Sequence, residues 1–225
     1  MCKFKIAVIV ILASMILACG GGGGSDSGTT FVPTDPNQLF PLSKINSTTQ
    51  GTVFNFAVTG SDSNGVTYTG TIAQANRALE MYSGVLTTPR DTLINLIGGG
   101  SSTAVTSTGY IDTSGNLVGI VVQTTGLICT PVAPNNLPAT VKIGDFGILS
   151  ALNCDDNTTQ SQNWNITDAG SGNVNLVTNA AIRNQFNTIL STTRITYKIN
   201  GSGDILSISV STTILASGYT LAYGS

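Results

Sequence analysis

The sequence predicts a mainly β fold: an antiparallel β-sandwich or barrel built of hairpins, with at most one or two short helices. Two observations support this prediction. Apolar and polar residues alternate with a period of two, and clusters of Gly, Asn, Asp and Ser separate the alternating segments. Charged residues are only 9% of the chain, against about a quarter in ordinary globular domains. Ser, Thr, Asn and Gly fill the polar positions, as in many extracellular β proteins.

Two hairpins are the clearest elements of this pattern. Apolar residues alternate on both sides of the turn residues 60–65, which gives one hairpin over residues 54–72. They alternate again on both sides of the turn 200–204, which gives a second hairpin over residues 195–210. Asn and Gly suit both turns because they tolerate positive φ.

Two other segments are ambiguous between helix and strand. Residues 73–80 are rich in helix formers, so a short helix or two fits within the region 72–97. Residues 179–190 have some helical character, but the alternation on either side favours two strands joined by a turn at 184–187. We therefore predict strands for this second segment.

The chain also shows weak similarity to itself. Residues 108–125 align without gaps on the segment 88 positions later, with eight identities in eighteen positions. Residues 55–66 align more weakly on the segment 108 positions later. One interpretation is a duplication with halves at 50–128 and 129–225, which would give a pseudo-symmetric fold. The other is that Thr/Ser/Gly-rich hairpins resemble one another.

The N-terminal residues have the features of an export signal. Lys3 and Lys5 precede an apolar run over residues 6–17 that only Ser14 interrupts. These twelve residues are too few to span a membrane as a helix, which needs roughly 18 or more. We therefore expect residues 1–18 to be a signal peptide.

The segment Met15-Ile16-Leu17-Ala18-Cys19 resembles the lipobox of bacterial lipoproteins. The resemblance implies that the Cys19 thiol carries a diacylglycerol and that its freed amine carries a further acyl chain such as palmitate. More than one chain makes membrane anchoring stable. Gly20, rather than aspartate, follows the cysteine, which in Gram-negative lipoproteins implies the outer membrane.

We expect residues 19–38 to form the lipidated cysteine and a flexible tether, and residues 39–225 to form a single β domain. Five glycines follow Cys19 directly, and no apolar residue occurs before Phe31. A Gly/Ser coil of this length spans roughly 24 Å, enough to hold a domain clear of lipid headgroups. The remaining chain can bury about 70% of its unfolded surface in one core.

The cysteines predict one disulfide. Cys2 leaves with the signal peptide and the lipobox resemblance assigns Cys19 to lipidation, so Cys129 and Cys154 remain as a pair. An exported protein folds in an oxidising compartment, and closing a loop of about 26 residues contributes roughly 3.5 kcal/mol in the chain-entropy model. The alternative, two metal-ligating thiolates, requires two further ligands, and the chain has no histidine.

The C-terminal part is similar to β-rich proteobacterial lipoproteins that have no assigned activity. Leu137-Pro138, the Gly144-Asp145-Phe146-Gly147 turn before Cys154 and a strand over 219–223 carry this resemblance. It covers roughly the last 90 residues and implies hairpins that continue to the C terminus.

The residue inventory predicts no enzyme activity, cofactor or metal. The absence of histidine excludes Ser-His-Asp and Cys-His arrangements. Asp155 and Asp156 are the only adjacent carboxylates. Glycosidase carboxylates face each other about 5 to 10 Å apart, whereas neighbours on a strand point to opposite sides. We expect this pair to lie in a solvated turn.

Three other residues have a structural and a functional interpretation. Asp62 and Asp112 begin segments similar to pieces of calcium loops, but neither has the glutamate that an EF-hand requires at its twelfth position. Hairpin turns use the same residues, and we favour turns. Trp164, the only tryptophan, fits a core position on an alternating strand better than a ligand platform.

These observations favour one functional class and leave two others open. Without residues 1–18 the chain has seven basic and eleven acidic residues, a net charge of −4 with the basic residues scattered, which argues against a nucleic-acid partner. We expect a lipid-anchored outer-membrane lipoprotein with a non-enzymatic structural or binding role. The alternatives are a surface protein that binds or acts on carbohydrate through Asp155, Asp156 and aromatics such as Trp164, and an accessory subunit of an envelope assembly.

Overall fold

The computed structural model describes residues 32–134 and 136–225. No helix among these residues is long and apolar enough to cross a membrane. The described residues form fifteen strands: β1 (Phe40–Pro41), β2 (Gly51–Asp62), β3 (Thr67–Asn76), β4 (Glu80–Tyr82), β5 (Val85–Gly98), β6 (Ser101–Asp112), β7 (Leu117–Val122), β8 (Leu127–Pro131), β9 (Thr140–Val141), β10 (Phe146–Cys154), β11 (Thr159–Gly170), β12 (Asn173–Arg183), β13 (Ile189–Asn200), β14 (Ile205–Ile214) and β15 (Tyr219–Gly224).

Twelve of these strands close into one antiparallel barrel. Apart from β4 and β9, each strand from β2 onward pairs with the next, and the ring closes where β15 pairs with β2. β4 pairs with the first residues of β5, and β1 and β9 form a separate two-stranded sheet. The predicted mainly β, antiparallel fold is confirmed, and of the two predicted architectures it is the barrel that forms.

Five tight turns of the barrel share one geometry. In each, the N–H of the fourth residue donates to the carbonyl of the first, and the N–H of the first donates to the carbonyl of the fifth, at 2.8 to 3.1 Å. The fourth residue, Gly or Asn, has a φ between 62° and 85°, as hairpins closed by a type I turn and a left-handed residue require. These turns cover residues 62–66, 112–116, 154–158, 184–188 and 200–204.

The region 72–97 forms strands and no helix. β3 runs to Asn76, and β4 and β5 follow. Ile72, Gln74 and Asn76 are buried while the residues between them are partly exposed, so the period is two. Burial inside the barrel overrides the helix propensity of residues 73–80. The strands predicted within residues 179–190 are confirmed as the end of β12 and the start of β13.

The barrel topology is incompatible with both self-alignments belonging to one duplication. The first aligns β6 and β7 with β13 and β14, and the second aligns most of β2 and the turn after it with β11 and the start of β12. β5 lies between β3 and β6 in the ring, whereas β12 is followed directly by β13. Because neighbouring strands in the ring are antiparallel, the extra strand β5 has a consequence for direction. β6 and β13 run in the same direction along the barrel, whereas β2 and β11 run in opposite directions. No single rotation about the barrel axis therefore relates both pairs of aligned segments.

The predicted disulfide between Cys129 and Cys154 is confirmed. The two residues are directly opposite each other on the neighbouring strands β8 and β10, with a Cα–Cα distance of 4.0 Å. Both are buried in the hydrophobic core. The covalent bond therefore joins the wall of the barrel at the point where the irregular connection from β8 to β10 leaves it.

Residues 32–50, here called the N-terminal strap, cross one end of the barrel before β2 begins. The Ser171 N–H donates to the carbonyl of Val32 over 2.7 Å, and Phe40 pairs with Val141. The Phe40 and Leu42 side chains are fully buried. We call this the strap end of the barrel and the opposite one the far end. The strap end also carries the turns 112–116 and 200–204.

The strap begins earlier than the sequence indicated. Residues 32–38, assigned above to the tether, lie against the barrel because Asp168 and Asn173 hold Thr34. The Thr34 N–H donates to the Asp168 carboxylate over 3.1 Å, and its hydroxyl donates to the Asn173 carbonyl over 3.0 Å. Cys19, the predicted signal peptide and the glycine run lie outside the described residues.

The other end of the strap is held by Arg90, whose side chain points into the barrel and is 6% exposed. Its Nε donates to Asn76 Oδ1 over 2.9 Å and its Nη1 to the Ile45 carbonyl over 2.6 Å. Its Nη2 donates to the Ser47 carbonyl. Burial lowers the pKa of Arg90 to about 10, so the guanidinium remains charged at neutral pH. These three acceptors are neutral, and two of them belong to the strap backbone.

We expect Arg90→Met to lower the free energy of unfolding by about 2 to 4 kcal/mol, because the buried Ile45 carbonyl and the Asn76 amide oxygen lose their donor and the Ser47 carbonyl keeps only the Asn76 Nδ2 donor. Denaturant unfolding of the full chain measures this loss. The same change at the exposed Arg194 is the control and should stay within about 0.5 kcal/mol. Equal losses in the two variants would contradict the role of Arg90 in holding the strap.

We also expect acid to release the Thr34 contact. The Gly170 N–H, assisted by the Thr34 N–H and opposed by burial, holds the pKa of Asp168 below its ordinary value of 3.8. The stability that this carboxylate contributes is therefore complete above pH 3.8 and is lost as the pH falls through its lower folded-state pKa. Asp168→Asn should lower the thermal midpoint at pH 7. The difference in midpoint between the variant and the wild type should become smaller as the pH falls below 3.8. Midpoint curves that stay parallel down to pH 2 would show that Asp168 has no such role.

Candidate functional site

A groove of about 430 Å³ lies on the outer wall of the barrel across β11, β12, β13 and β14. Its lining is polar except for two alanines. The barrel strands place one face of alternate residues inside and the other outside, and most lining residues belong to the outer face. They are Ser161, Asn163, Asn179, Ala180, Ala181, Thr192, Thr193, Arg194, Ser211 and Thr213.

Strand register brings the longest of these side chains into one row. Asn163 pairs with Asn179, Asn179 with Arg194, and Arg194 with Ser211. Directly paired residues have Cβ atoms about 4.5 to 5.5 Å apart. The row therefore spans four strands and presents amide, guanidinium and hydroxyl groups at regular spacing.

A second row, two residues farther along each strand, forms the shallow part of the groove. Ser161 pairs with Ala181, Ala181 with Thr192, and Thr192 with Thr213. These side chains are shorter than the asparagines and the arginine of the first row. The difference in side-chain length produces a depression in an otherwise even wall.

The polar groups of the groove are only partly satisfied by one another. Asn179 Nδ2 donates to Asn163 Oδ1 over 3.1 Å, which orients both amides and leaves donor and acceptor capacity on each. The two ion pairs found among the described residues both involve Arg77. The exposed guanidinium of Arg194 therefore has no carboxylate partner in the described part of the chain.

The groove is suited to binding and not to acid–base catalysis. Its lining contains no Asp, Glu, Cys, Tyr or Lys, and arginine does not release its proton near neutral pH. Fixed hydroxyl and amide groups form hydrogen bonds with a polar ligand, and Arg194 adds a charge-assisted donor for a carboxylate or phosphate.

The three residues of the predicted carbohydrate site do not come together. Asp155 and Asp156 lie exposed in the turn at the far end, as the turn interpretation predicts. Asp155 Oδ1 accepts the Ile128 N–H over 3.2 Å, and Asp156 Oδ1 accepts the Thr158 N–H over 3.0 Å. Trp164 faces the barrel interior and is 8% exposed, which confirms the core interpretation. It lies five residues into β11, about 17 Å of strand from that turn.

Asp62 and Asp112 act as turn residues. Asp62 Oδ1 accepts the N–H groups of Asn64 and Val66 at 2.9 and 3.0 Å, and Asp112 Oδ1 makes the equivalent bonds within its own turn. Burial raises the pKa of each carboxyl, but hydrogen bonds to the carboxylate outweigh it and hold both pKa values below the usual range. No group of three or more His, Cys, Asp or Glu residues in the described chain is arranged to hold a metal ion.

The groove residues themselves were not singled out from the sequence. Each is an ordinary Ser, Thr, Asn or Arg at an outward strand position, and the site appears only when the register of four strands is known. The nearest sequence signal is the run of outward polar residues along each strand, which is equally typical of a solvated wall. No family model matches this chain, and neither a curated protein nor a solved structure is significantly similar to it.

Proposed function

We propose that this protein is a lipid-anchored envelope lipoprotein that binds a hydroxyl-rich ligand, a glycan, in the groove across β11 to β14. The observation that carries the proposal is the pair of polar rows on the outer wall. They offer many hydrogen-bonding groups at fixed positions, no acid–base machinery and one cation without a carboxylate partner among the described residues. This combination fits recognition of a polar surface better than turnover.

The composition of the groove indicates the chemistry of the ligand. Sugar rings present several hydroxyl groups that act as both donor and acceptor, and the amides of Asn163 and Asn179 and the surrounding hydroxyls match that chemistry. Arg194 favours a glycan that carries a carboxylate, because a charged hydrogen bond is worth about 1.5 to 3 kcal/mol against about 1 for a neutral one. The proposed ligand is therefore an acidic glycan.

The position of the strap is consistent with a groove that stays accessible to a ligand when the protein is anchored. The chain reaches the barrel at the strap end, at the turn between β11 and β12. A lipidated Cys19, which lies outside the described residues, would be joined to this end through residues 20–31. The groove lies on the side wall, so an anchor beneath the strap end leaves it open to the solvent.

Binding of the full chain to an array of neutral and acidic glycans tests the groove. We expect binding to an acidic glycan that falls at least about tenfold in Arg194→Ala, which removes a charged hydrogen bond, and about fivefold in Asn179→Ala, which removes a neutral one worth about 1 kcal/mol. Lys198→Ala is the matched control, since Lys198 is the next outward cation on β13 but lies outside the groove. The proposal fails if no glycan binds, or if Lys198→Ala loses as much binding as Arg194→Ala.

Metabolic labelling with a radioactive or clickable palmitate in a Gram-negative host tests the anchor. We expect the wild-type chain to be labelled and to fractionate with the outer membrane, and Cys19→Ala to lose the label, because the lipidated thiol is missing. Cys2→Ala is the control and should keep the label. Labelling that persists in Cys19→Ala would overturn the anchor without bearing on the groove.

A further inference from the structure

Exposed apolar side chains gather at the strap end of the barrel. Fifteen large apolar side chains are exposed among the described residues. Ten of them lie in the strap, in a strap-end loop or within two residues of the strap end of a strand, and four lie correspondingly near the far end. Apolar exposure concentrated at one end of a barrel favours an interaction surface there, whereas evenly scattered residues do not.

Two segments supply most of this surface. One is the hairpin of β4 and β5, with Leu79, Met81 and Leu86 exposed. The other is the beginning of β10, where Phe146 and Ile148 are 80% and 87% exposed on the outer wall. Nothing in the barrel requires large apolar groups at these outward positions, because the core is already filled from the inward ones.

Four carboxylates at the strap end are held by hydrogen bonds within the fold. Asp35 accepts the Asn37 N–H over 2.9 Å, Asp145 accepts the Lys142 N–H over 2.9 Å, and Asp112 and Asp168 are held in the turns described above. These carboxylates would repel an anionic surface. The end is therefore best matched by an uncharged, apolar environment beneath zwitterionic headgroups.

We propose that the strap end rests on the membrane, with Phe146, Ile148 and the β4–β5 hairpin inserted at the boundary between headgroups and acyl chains. This rests on the lipid anchor proposed above. The described chain begins at Val32 at this end, and the preceding 31 residues contain the proposed anchor, so the lipid surface is delivered to this end. Because the anchor raises the effective concentration of the barrel at the membrane, apolar groups with only a weak affinity for the interface can bind there.

The single tryptophan reports on this contact. Trp164 lies directly behind Gly147, the residue between Phe146 and Ile148, so closely that a Cβ on Gly147 would be 2.7 Å from the indole nitrogen. The side chains of Phe146, Ile148 and Trp164 also line one groove of about 620 Å³. Bromine atoms on acyl chains in contact with Phe146 and Ile148 would come close enough to quench the Trp164 fluorescence.

The experiment uses the lipidated full chain in phosphatidylcholine vesicles with and without brominated acyl chains. We expect quenching of Trp164 that falls at least twofold in the double variant Phe146→Ser, Ile148→Ser. The matched control is Phe186→Ser, Leu215→Ser, which removes two exposed apolar groups from the far end and should leave quenching unchanged. Circular dichroism checks that both double variants keep the β fold, as substitutions at exposed positions allow.

Flotation separates the possible failures. Wild-type protein that floats with the vesicles without quenching overturns the contact and leaves the anchor intact. Protein that does not float overturns the anchor and this proposal together. Quenching that falls equally in both double variants also overturns the membrane contact. So does a stable dimer, measured by sedimentation, that buries Phe146 and Ile148, because a second copy then covers the surface.

Discussion

The buried guanidinium of Arg90 is the constraint around which the strap end is organised. An unpaired charge in a protein interior is costly unless donors and acceptors match it closely, and here two strap carbonyls and the Asn76 amide supply the match. The strap must therefore pass at this depth across the barrel. Its passage places the Phe40 and Leu42 side chains in the core, so one polar contact and the hydrophobic closure of the barrel depend on each other.

Much of the fold could be predicted because its signals are local. The period of two follows from one face of each strand lying in the core, and the Asx and Gly turns follow from the need for positive φ after a type I turn. Closure into a barrel could not be predicted, since it depends on the pairing of β15 with β2. The region 73–80 was ambiguous because propensity is local, while the burial of Gln74 and Asn76 is decided by distant strands.

The candidate site shows the same division more sharply. The sequence indicated a candidate site by residue type alone, at Asp155, Asp156 and Trp164. In the structure, backbone N–H groups hold the two carboxylates and the indole faces the core. The groove residues have no unusual chemistry individually. Asn163, Asn179 and Arg194 become a site only through an antiparallel register that joins three hairpin strands, and one sequence carries no direct record of that register. The disulfide could be predicted because so few cysteines were available to pair.

The pairing of β15 with β2 has a consequence for the order in which the molecule forms. Leu221 pairs with Asp62, a contact between residues more than 150 positions apart. Such non-local pairing makes folding slow, because loop-closure entropy is lost before the contact is gained. The ring cannot close until the last strand is present, so the barrel forms only after the whole chain has been made. The hairpins in between can form as they emerge, whereas closure waits for the C terminus.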